Sequence, residues 1–241
     1  MLSRIGVALI ASAFALAGSA SASTLSMSPV MVEIRQPAKT SKITLRNRGE
    51  DSIAAQIRVF RWVNENGTDQ LVPTKEVVAS PPAAKLLPNT EYKVRLVRVA
   101  KTPVVGEESY RLLIDQLPKP ASHAGARVAF TVRHSIPVFF QGEGVKSGPL
   151  LWSASIRDIT LVLTAANQGS RRARLFDVKV KIGTREVTAQ GGGLAGYVLG
   201  RSAAQWSIPL PKGLKTGSTI TITARDERGP LKATAKVGSA P

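Results

Sequence analysis

Cysteine is absent from this chain of 241 residues, and histidine occurs only twice, at His123 and His134. The lack of cysteine excludes a disulfide framework, a zinc–thiolate site and a cysteine nucleophile. Catalysis of the Ser-His-Asp type would require one of the two histidines, and no Asp or Glu motif marks His134 as a general base. Because the sequence shows neither a nucleophile–base pair nor a cluster of metal ligands, we predict no enzyme activity, no metal and no cofactor.

Acidic residues are scarce, since 16 Asp and Glu stand against 33 Lys and Arg, which gives a formal net charge of +17. The hydrophobic content of 43% is enough for packed cores and excludes a disordered chain. The basic residues are spread along the chain, so we interpret them as a solvated surface that attracts acidic partners at long range. The cluster Arg171-Arg172-Ala173-Arg174 is interpreted as a solvated loop, with an acidic docking site as the alternative.

The first 22 residues are typical of a secretory signal peptide. Arg4 supplies the positive start, residues 5–16 are apolar, and Ala20-Ser21-Ala22 matches a small-residue cleavage pattern. The alternative is an uncleaved membrane anchor, although the apolar stretch is shorter than the roughly 20 residues that span a bilayer. We therefore predict export to a periplasm, no integral membrane segment after cleavage, and no nucleic-acid partner.

Hydrophobic residues recur with a period of two rather than 3.6, which indicates strands. Asn, Gly and Pro separate the strand candidates at regular intervals. The predicted strands cover residues 42–46, 56–62, 92–97, 110–115, 127–140, 159–164, 175–182, 206–210, 218–224 and 231–237. Many short strands of this kind predict an all-β sandwich or barrel.

The strands are too many for one seven-stranded sandwich of about 100 residues. Two sandwiches fit the chain that follows the signal peptide, and Gln141-Gly142-Glu143-Gly144 is the most suitable boundary. We therefore predict a signal peptide over 1–22, a first domain over 23–143 and a second over 144–241. The two halves show no strong internal sequence repeat.

Several short motifs follow one another in order across residues 56–139. They are Gln56-Ile57-Arg58-Val59-Phe60-Arg61-Trp62, Ser80-Pro81-Pro82, Leu87-Pro88, Val94-Arg95-Leu96, Glu108-Ser109-Tyr110-Arg111-Leu112, Leu117-Pro118 and Arg133-His134-Ser135-Ile136-Pro137-Val138-Phe139. Together they resemble the PapD-like periplasmic chaperones of chaperone–usher pili, and within these the archaic branch that serves spore-coat-U-like pilins. In the second half the resemblance rests mainly on Thr223-Ala224-Arg225-Asp226.

The resemblance implies an all-β fold of two immunoglobulin-like sandwich domains in an L-shaped arrangement, with a cleft between them and no catalysis. It implies a chaperone that stabilises pilin subunits by donating a strand to their open groove and delivers them to an outer-membrane usher. In such strand addition, main-chain hydrogen bonds supply affinity and alternate side chains fill pockets. Self-association of the free protein through the donor strand also stays open. The alternative function is an exported two-domain immunoglobulin-like adhesion or binding module.

The predicted strand over 127–140 fits the donor role, because alternate side chains of a strand point to opposite faces. Val128, Phe130 and Val132 form an apolar row that we expect to enter the pilin groove, and Ile136 is expected nearer the chaperone's own core. The intervening side chains are small or charged. An ordinary half-buried strand of the sandwich is the alternative.

The resemblance also implies an anchor for the C-terminal carboxylate of the subunit, at positions that correspond here to Met31 and Pro137. Neither residue is basic, so this anchor cannot be transferred to the chain. A carboxylate buried in a cleft still needs donors, because an unpaired buried charge is costly. The candidates are Arg95, Arg133, Arg35 and Lys93, and we prefer the first two. For each of these two, the alternative is a structural or solvated arginine.

Family members bury an ion network between their domains, and the matching positions here are Arg95, Glu108 and Asp226. Such a network would fix the angle between the domains more than it would add net stability. The three tryptophans are expected to fill cores; they are Trp62, Trp152 and Trp206.

Overall fold

The computed structural model describes residues 25–118, 131–189 and 192–239. The predicted signal peptide and part of the predicted donor strand lie outside these ranges. Every regular element within them is a β-strand, which confirms the all-β prediction. Within the same ranges, no helix is long and apolar enough to cross a membrane.

The first domain consists of two facing sheets. Its strands are β1 (Leu25–Ser28), β2 (Val32–Arg35), β3 (Thr40–Asn47), β4 (Ile53–Glu65), β5 (Thr68–Pro73), β6 (Val77–Ser80), β7 (Ala83–Leu86), β8 (Glu91–Arg98), β9 (Glu107–Leu117) and β10 (Arg133–Gln141). One sheet has the order β1-β3-β8-β6, and the other has the order β2-β10-β9-β4-β5, with β7 also paired to β4. β2 runs parallel to β10, whereas β9 runs antiparallel to it.

The core of this domain lies between the two sheets, because alternate residues of each strand are apolar and point inward. In β3, Ile43 and Leu45 are fully buried, whereas Lys42, which directly precedes Ile43, is exposed. In β9, Leu112 and Ile114 are fully buried in the same cluster. Each such side chain contributes roughly 1.5–3 kcal/mol by leaving water.

The second domain repeats this construction with its own core. Its strands are β11 (Leu150–Arg157), β12 (Thr160–Asn167), β13 (Ala173–Ile182), β14 (Arg185–Thr188), β15 (Leu194–Val198), β16 (Ala203–Pro209), β17 (Thr219–Asp226) and β18 (Gly229–Ser239). The hydrogen-bonded order is β14-β13-β17-β18-β11-β12-β16, with β15 paired to β13. β11 joins the two layers, because it pairs antiparallel with β12 and parallel with the end of β18.

All ten predicted strands overlap observed ones, but their ends differ. The strand predicted over 127–140 runs from Arg133 to Gln141 within the described residues. Several short strands were missed, and β5 shows why. All six of its residues are exposed, so it has no buried apolar row that could produce an alternating pattern.

The two cores share no residue, and the chain passes between them over residues 142–149. The predicted boundary after Glu143 falls in this connection. A Cβ atom added at Gly142 would lie 2.1 Å from the carbonyl oxygen of Val104, and one added at Gly148 would lie 2.3 Å from the backbone nitrogen of Gly169. The close backbone approaches therefore require glycine at both positions.

A buried asparagine recurs at the same place in both domains, at the end of β3 (Asn47) and at the end of β12 (Asn167). Each side-chain amide donates to the carbonyl of the residue four positions later and to two consecutive carbonyls of a distant loop. These acceptors are Asp51, Leu86 and Leu87 for the first asparagine, and Arg171, Val198 and Leu199 for the second. Each side-chain oxygen also accepts a hydrogen bond from the glycine two positions later. The sequence does not reveal this repeat, because the two segments have only the short pattern Asn-x-Gly in common.

Candidate functional site

β10 has an open edge next to the segment that is predicted to donate a strand. It pairs with β9 along its whole length, from Arg133 to Gln141. On its other side it pairs with β2 only from Val138 onward. Among the described residues, 133–137 therefore have no strand on their outer side. The backbone groups that point away from β9 there are free to pair with an added strand.

The side chains of β10 alternate as the sequence predicts. Ile136, Val138 and Phe140 are buried in the core of the first domain. On the opposite face, Arg133 and Ser135 are exposed, whereas Pro137, Phe139 and Gln141 are buried. The burial of Ile136 fixes the phase of the strand, so even-numbered residues upstream share its face as long as the strand continues.

Two of the predicted donor residues, Val128 and Phe130, lie outside the described residues, so their role stays a prediction. Val132 is described and is half-buried. Its carbonyl oxygen accepts a hydrogen bond of 3.0 Å from the backbone N–H of Gln116. The pairing with β9 thus extends at least one residue upstream of β10.

A cavity of about 580 Å³ opens beside this edge, between the two domains. Met31, Ser135 and Pro137 line it from the first domain, and Leu194 and Tyr197 line it from the second. Met31 and Pro137 are the positions that correspond to the family's basic anchor. These two positions therefore lie together in the cleft, although neither residue carries a charge.

The positive charge of this cavity comes from Arg111 and Arg174. Arg111 lies directly opposite Pro137 in the register of β9 and β10. Its Cζ atom is 3.7 Å from the ring centroid of Trp62 and 5.6 Å from that of Tyr197. Burial lowers the pKa of Arg111, because a dry site disfavours the charged form.

Arg174 enters the cavity from β13 of the second domain. Its Cζ atom is 4.8 Å from the ring centroid of Phe176, and its Nε atom is buried without a hydrogen-bond partner among the described residues. No carboxylate of those residues forms an ion pair with Arg174 or Arg111. Neither arginine was among the anchor candidates predicted from the sequence. Pairing β9 with β10 in the correct register would have placed Arg111 beside Pro137.

The two arginines preferred from the sequence lie outside the cavity. Arg133 is exposed and forms an ion pair with Asp115, whose Oδ1 atom is 2.5 Å from Nε. Arg58 contacts the other carboxylate oxygen at 2.6 Å. The hydrogen bond from Arg133 is the main cause that lowers the pKa of Asp115. Arg95 is exposed on β8, in the sheet that does not contain β10.

The predicted network of Arg95, Glu108 and Asp226 is wrong. Glu108 instead pairs within the first domain with Arg98, at 2.7 Å between Oε1 and Nη2. Asp226 pairs with Arg228 at 2.7 Å within the second domain. The physical reason is the alternation of β8, which turns Arg98 inward and Arg95 toward solvent.

The ion pairs that connect the two domains are made by the basic cluster of residues 171–174, which the sequence predicts to be a solvated loop. That prediction is wrong for Arg172, whose side chain is only 1% exposed. Its Nη1 atom contacts Glu107 Oε2 at 2.5 Å, its backbone N–H donates to Glu107 Oε1, and its Nη2 atom contacts Glu33. Arg171 adds longer contacts of 3.6 Å to Glu33 and Glu227. Arg172 thereby joins β2 and β9 to the start of β13.

Aromatic side chains surround this ion network and form a small third cluster between the domains. Trp62, Phe139 and Tyr197 are mutually in contact, with ring centroids 5.4 to 6.0 Å apart. The guanidinium of Arg172 lies 3.6 Å from the ring centroid of Phe139. Trp62 therefore packs at the junction of the domains, whereas Trp206 lies in the core of the second domain.

No group of three or more His, Asp or Glu side chains in the described ranges could hold a metal ion. The site consists instead of an open strand edge and an interdomain cleft that carries two arginines. Such an arrangement can bind an extended chain through its backbone and a negative group through the guanidinium groups.

Solved structures of similar proteins share this architecture. The chaperone CsuC, in the complex of chaperone and tip adhesion subunit from archaic chaperone–usher Csu pili of Acinetobacter baumannii, is 27% identical, with a TM-score of 0.68 over 90% of this chain and 100% of that chain. The YadV chaperone is 15% identical, with a TM-score of 0.61 over 88% and 99%. The E. coli chaperone DraB is 19% identical, with a TM-score of 0.56 over 87% and 97%.

A search of curated proteins gives no match. Residues 24–146 match the family described as pili and flagellar-assembly chaperone, PapD N-terminal domain. This range contains the open edge of β10 and the first-domain wall of the cleft. The chain therefore belongs to the PapD-like pilus-assembly chaperones, and its likeness to CsuC agrees with the archaic branch.

Proposed function

We propose that this protein is a periplasmic chaperone that stabilises pilin subunits by donor-strand complementation and delivers them to an outer-membrane usher. The observation that carries the proposal is the open edge of β10 at residues 133–137. The apolar row of Val128, Phe130 and Val132 lies directly upstream of that edge. The likeness to a chaperone solved in complex with a tip adhesion subunit supports a pilin as the partner.

The strand edge and the apolar row have different tasks in this binding mode. Backbone hydrogen bonds along 133–137 would align the client chain, and the upstream side chains would fill the gaps left by its missing strand. Each apolar side chain that becomes fully buried contributes roughly 1.5–3 kcal/mol. Three of them outweigh a surface ion pair, which contributes about 0–1 kcal/mol.

The cleft supplies the second contact of the proposal, a binding site for the C-terminal carboxylate of the client. Arg111 and Arg174 replace Arg95 and Arg133 as its candidates, because they line the cavity and have no carboxylate partner there. Arg111 lies across from Pro137, so its guanidinium is close to one of the two positions where the resemblance implies a basic anchor. A carboxylate bound there would offset the cost of burying the arginine.

Changing Phe130 to Asp tests strand donation. Co-expression with a cognate pilin should then give little soluble pilin, because a buried charge in the client groove is costly. Ala129→Asp is the matched control, since residue 129 lies on the opposite face of the predicted strand. Unchanged pilin yield with Phe130→Asp, or equal losses with both variants, would show that this segment is not the donor.

Changing Arg111 to Ala tests the carboxylate site. The variant should bind pilin at least tenfold more weakly, because a charge-assisted hydrogen bond contributes about 1.5–3 kcal/mol. Arg95→Ala is the control with the same loss of charge, and circular dichroism checks folding. A pilin without its C-terminal carboxylate should bind the wild type and Arg111→Ala equally well. A persistent difference with that pilin would assign Arg111 to packing instead.

Secretion of the chain and recovery of the protein from a periplasmic extract would test the proposed compartment. The signal-like segment over residues 1–22 supports it. Cells that lack the usher test the delivery step. Pili should not assemble in them, and pilin should accumulate bound to the chaperone.

A further inference from the structure

The second domain has one strongly basic face, formed by the outer side of β13, β17 and β18. The burial pattern turns Ile220 and Ile222 of β17 inward, so the odd-numbered residues of that strand point outward. The register then aligns lysines from the neighbouring strands on the same side. We call this surface the lysine face; it comprises Lys179, Lys181, Lys232, Lys236, Thr219, Thr221, Thr223 and Thr234.

The lysines of this face are separated by threonines rather than placed side by side. Thr223 pairs with Lys179 on one side and with Lys232 on the other. Strands are about 4.8 Å apart, so these two lysine positions are about 10 Å apart across the sheet. Like charges directly opposite each other destabilise a sheet, and the neutral strand between them avoids this cost while keeping the charge on one plane.

Few carboxylates neutralise this charge. Lys179 pairs with Glu186 at 2.7 Å, whereas the remaining lysines, at positions 181, 232 and 236, form no ion pair with any described residue. The opposite layer of the same domain differs sharply. Its central outward positions are uncharged, as Ser153, Thr164 and Gln205 illustrate in one cross-strand row. The lysines that lie within the strands of this domain are therefore all on one of its two faces.

The composition of the lysine face is unlike that of a protein–protein interface. Interface centres are enriched in aromatic residues and arginine and depleted in lysine, and none of the large exposed hydrophobic side chains of the described residues belongs to this face. Bases of single-stranded nucleic acid would need aromatic stacking partners. Phe176, which pairs with Arg225 at the end of this face, is half-buried and already lies against Arg174 and Arg225. A groove of about 670 Å³ at one end is lined by Lys179, Lys232 and the ion pair of Arg225 with Asp177, so the two lysines supply its unpaired positive charge.

We propose that the lysine face binds the surface of a bilayer that carries anionic phospholipids. The match is one of charge: long lysine side chains about 10 Å apart across the sheet can each reach a separate mobile headgroup. Such attraction amounts to about a fivefold gain in partitioning for each lysine close to the membrane. The proposal does not depend on strand donation, because β10 and the cleft are not part of this surface.

Vesicle co-sedimentation tests it with purified protein and liposomes of phosphatidylethanolamine and phosphatidylglycerol, compared with phosphatidylcholine alone. The variant Lys181→Gln/Lys232→Gln/Lys236→Gln should partition about 100-fold less than the wild type into the anionic vesicles. The matched control removes the same charge from exposed lysines elsewhere, with Lys→Gln at positions 75, 85 and 101. It should lose no more than a few-fold, and 0.5 M salt should abolish wild-type binding.

Three results would overturn the proposal. Wild-type protein that does not bind the anionic vesicles above the phosphatidylcholine level excludes membrane binding. Equal losses in the two triple variants would mean that net charge alone is responsible. Tighter binding to duplex DNA than to the vesicles, through the same lysines, would assign the face to another polyanion. The single variant Lys232→Gln, expected to lose about fivefold, guards against a folding defect in the triple variant.

Discussion

Removal of the Arg172 side chain tests whether a buried ion pair holds the two domains together. In Arg172→Ala the carboxylate of Glu107, which is completely buried, loses its guanidinium partner. Breaking one side of a buried pair costs about 3–5 kcal/mol. Glu107 would keep a hydrogen bond of 2.9 Å from the side chain of Gln141, so we expect a loss near the lower end, about 3 kcal/mol.

The loss of stability in Arg172→Ala cannot exceed the free energy that holds the two domains together. If the domains separate, water reaches Glu107 and the penalty for its unpaired charge disappears. The variant should therefore loosen the junction before either domain unfolds. Urea unfolding followed by tryptophan fluorescence is a suitable assay, because Trp62 packs in the aromatic cluster next to Arg172.

Two further variants decide whether the reasoning holds. Arg172→Ala combined with Glu107→Gln should recover part of the lost stability, because the second change removes the unpaired charge. Arg171→Ala is the matched control: its side chain is 26% exposed and its contacts are 3.6 Å long, so it should lose less than about 1 kcal/mol. Equal losses for Arg171→Ala and Arg172→Ala, or no recovery in the double variant, would refute the buried-pair explanation.

Three other predictions concern the packing and charge of the fold. Asn167→Ala should lower the unfolding free energy by about 2–3 kcal/mol, because three carbonyls lose their donor, whereas the exposed neighbour Gln168→Ala should change it little in thermal unfolding. Phe139→Ala should cost about 3–5 kcal/mol by leaving a cavity at the junction, and a loss below about 1 kcal/mol in urea unfolding would contradict that packing. Because the folded state lowers the pKa of Asp115, its contribution to stability is complete above about pH 4 and is lost as the pH falls through the folded pKa. The stability difference between wild type and Asp115→Asn should therefore shrink from pH 5 to pH 2, and a constant difference would argue against the ion pair with Arg133.

The parts of the fold that follow from local alternation were predictable from sequence. β3 and β8 each show a buried row at every second residue. In β10 every residue from Ile136 to Gln141 is buried, and Ile136 lies in the core as the phase of its strand indicates. The same rule, applied more strictly, would have corrected the ion network. Leu96 is a core residue of β8, so its neighbour Arg95 must face solvent and Arg98 must face inward.

The parts that depend on contacts between distant segments were not predictable in this way. The arginines of residues 171–174 have the composition of a solvated loop. Their burial depends on Glu33 and Glu107, the partners of Arg172, which come from two strands of the other domain. Arg111 belongs to a motif that indicates the family, but nothing local shows that it lines a cleft. Its position becomes evident only through its pairing with Pro137.

The second domain contains a counterpart of the open edge, and the two edges differ in what they could offer to the client of the proposed function. β18 pairs with β17 over most of its length and reaches β11 only in its last three residues, just as β10 reaches β2 only near its end. The inward row of β18 includes Ala233 and Ala235, which are too small to fill pockets vacated by a strand. Lysines on its outer side also discourage strand-to-strand association. Under the proposed function, side-chain size and charge would thus make the two domains asymmetric: the edge of the first could complete another protein, and the matching edge of the second would stay unpaired.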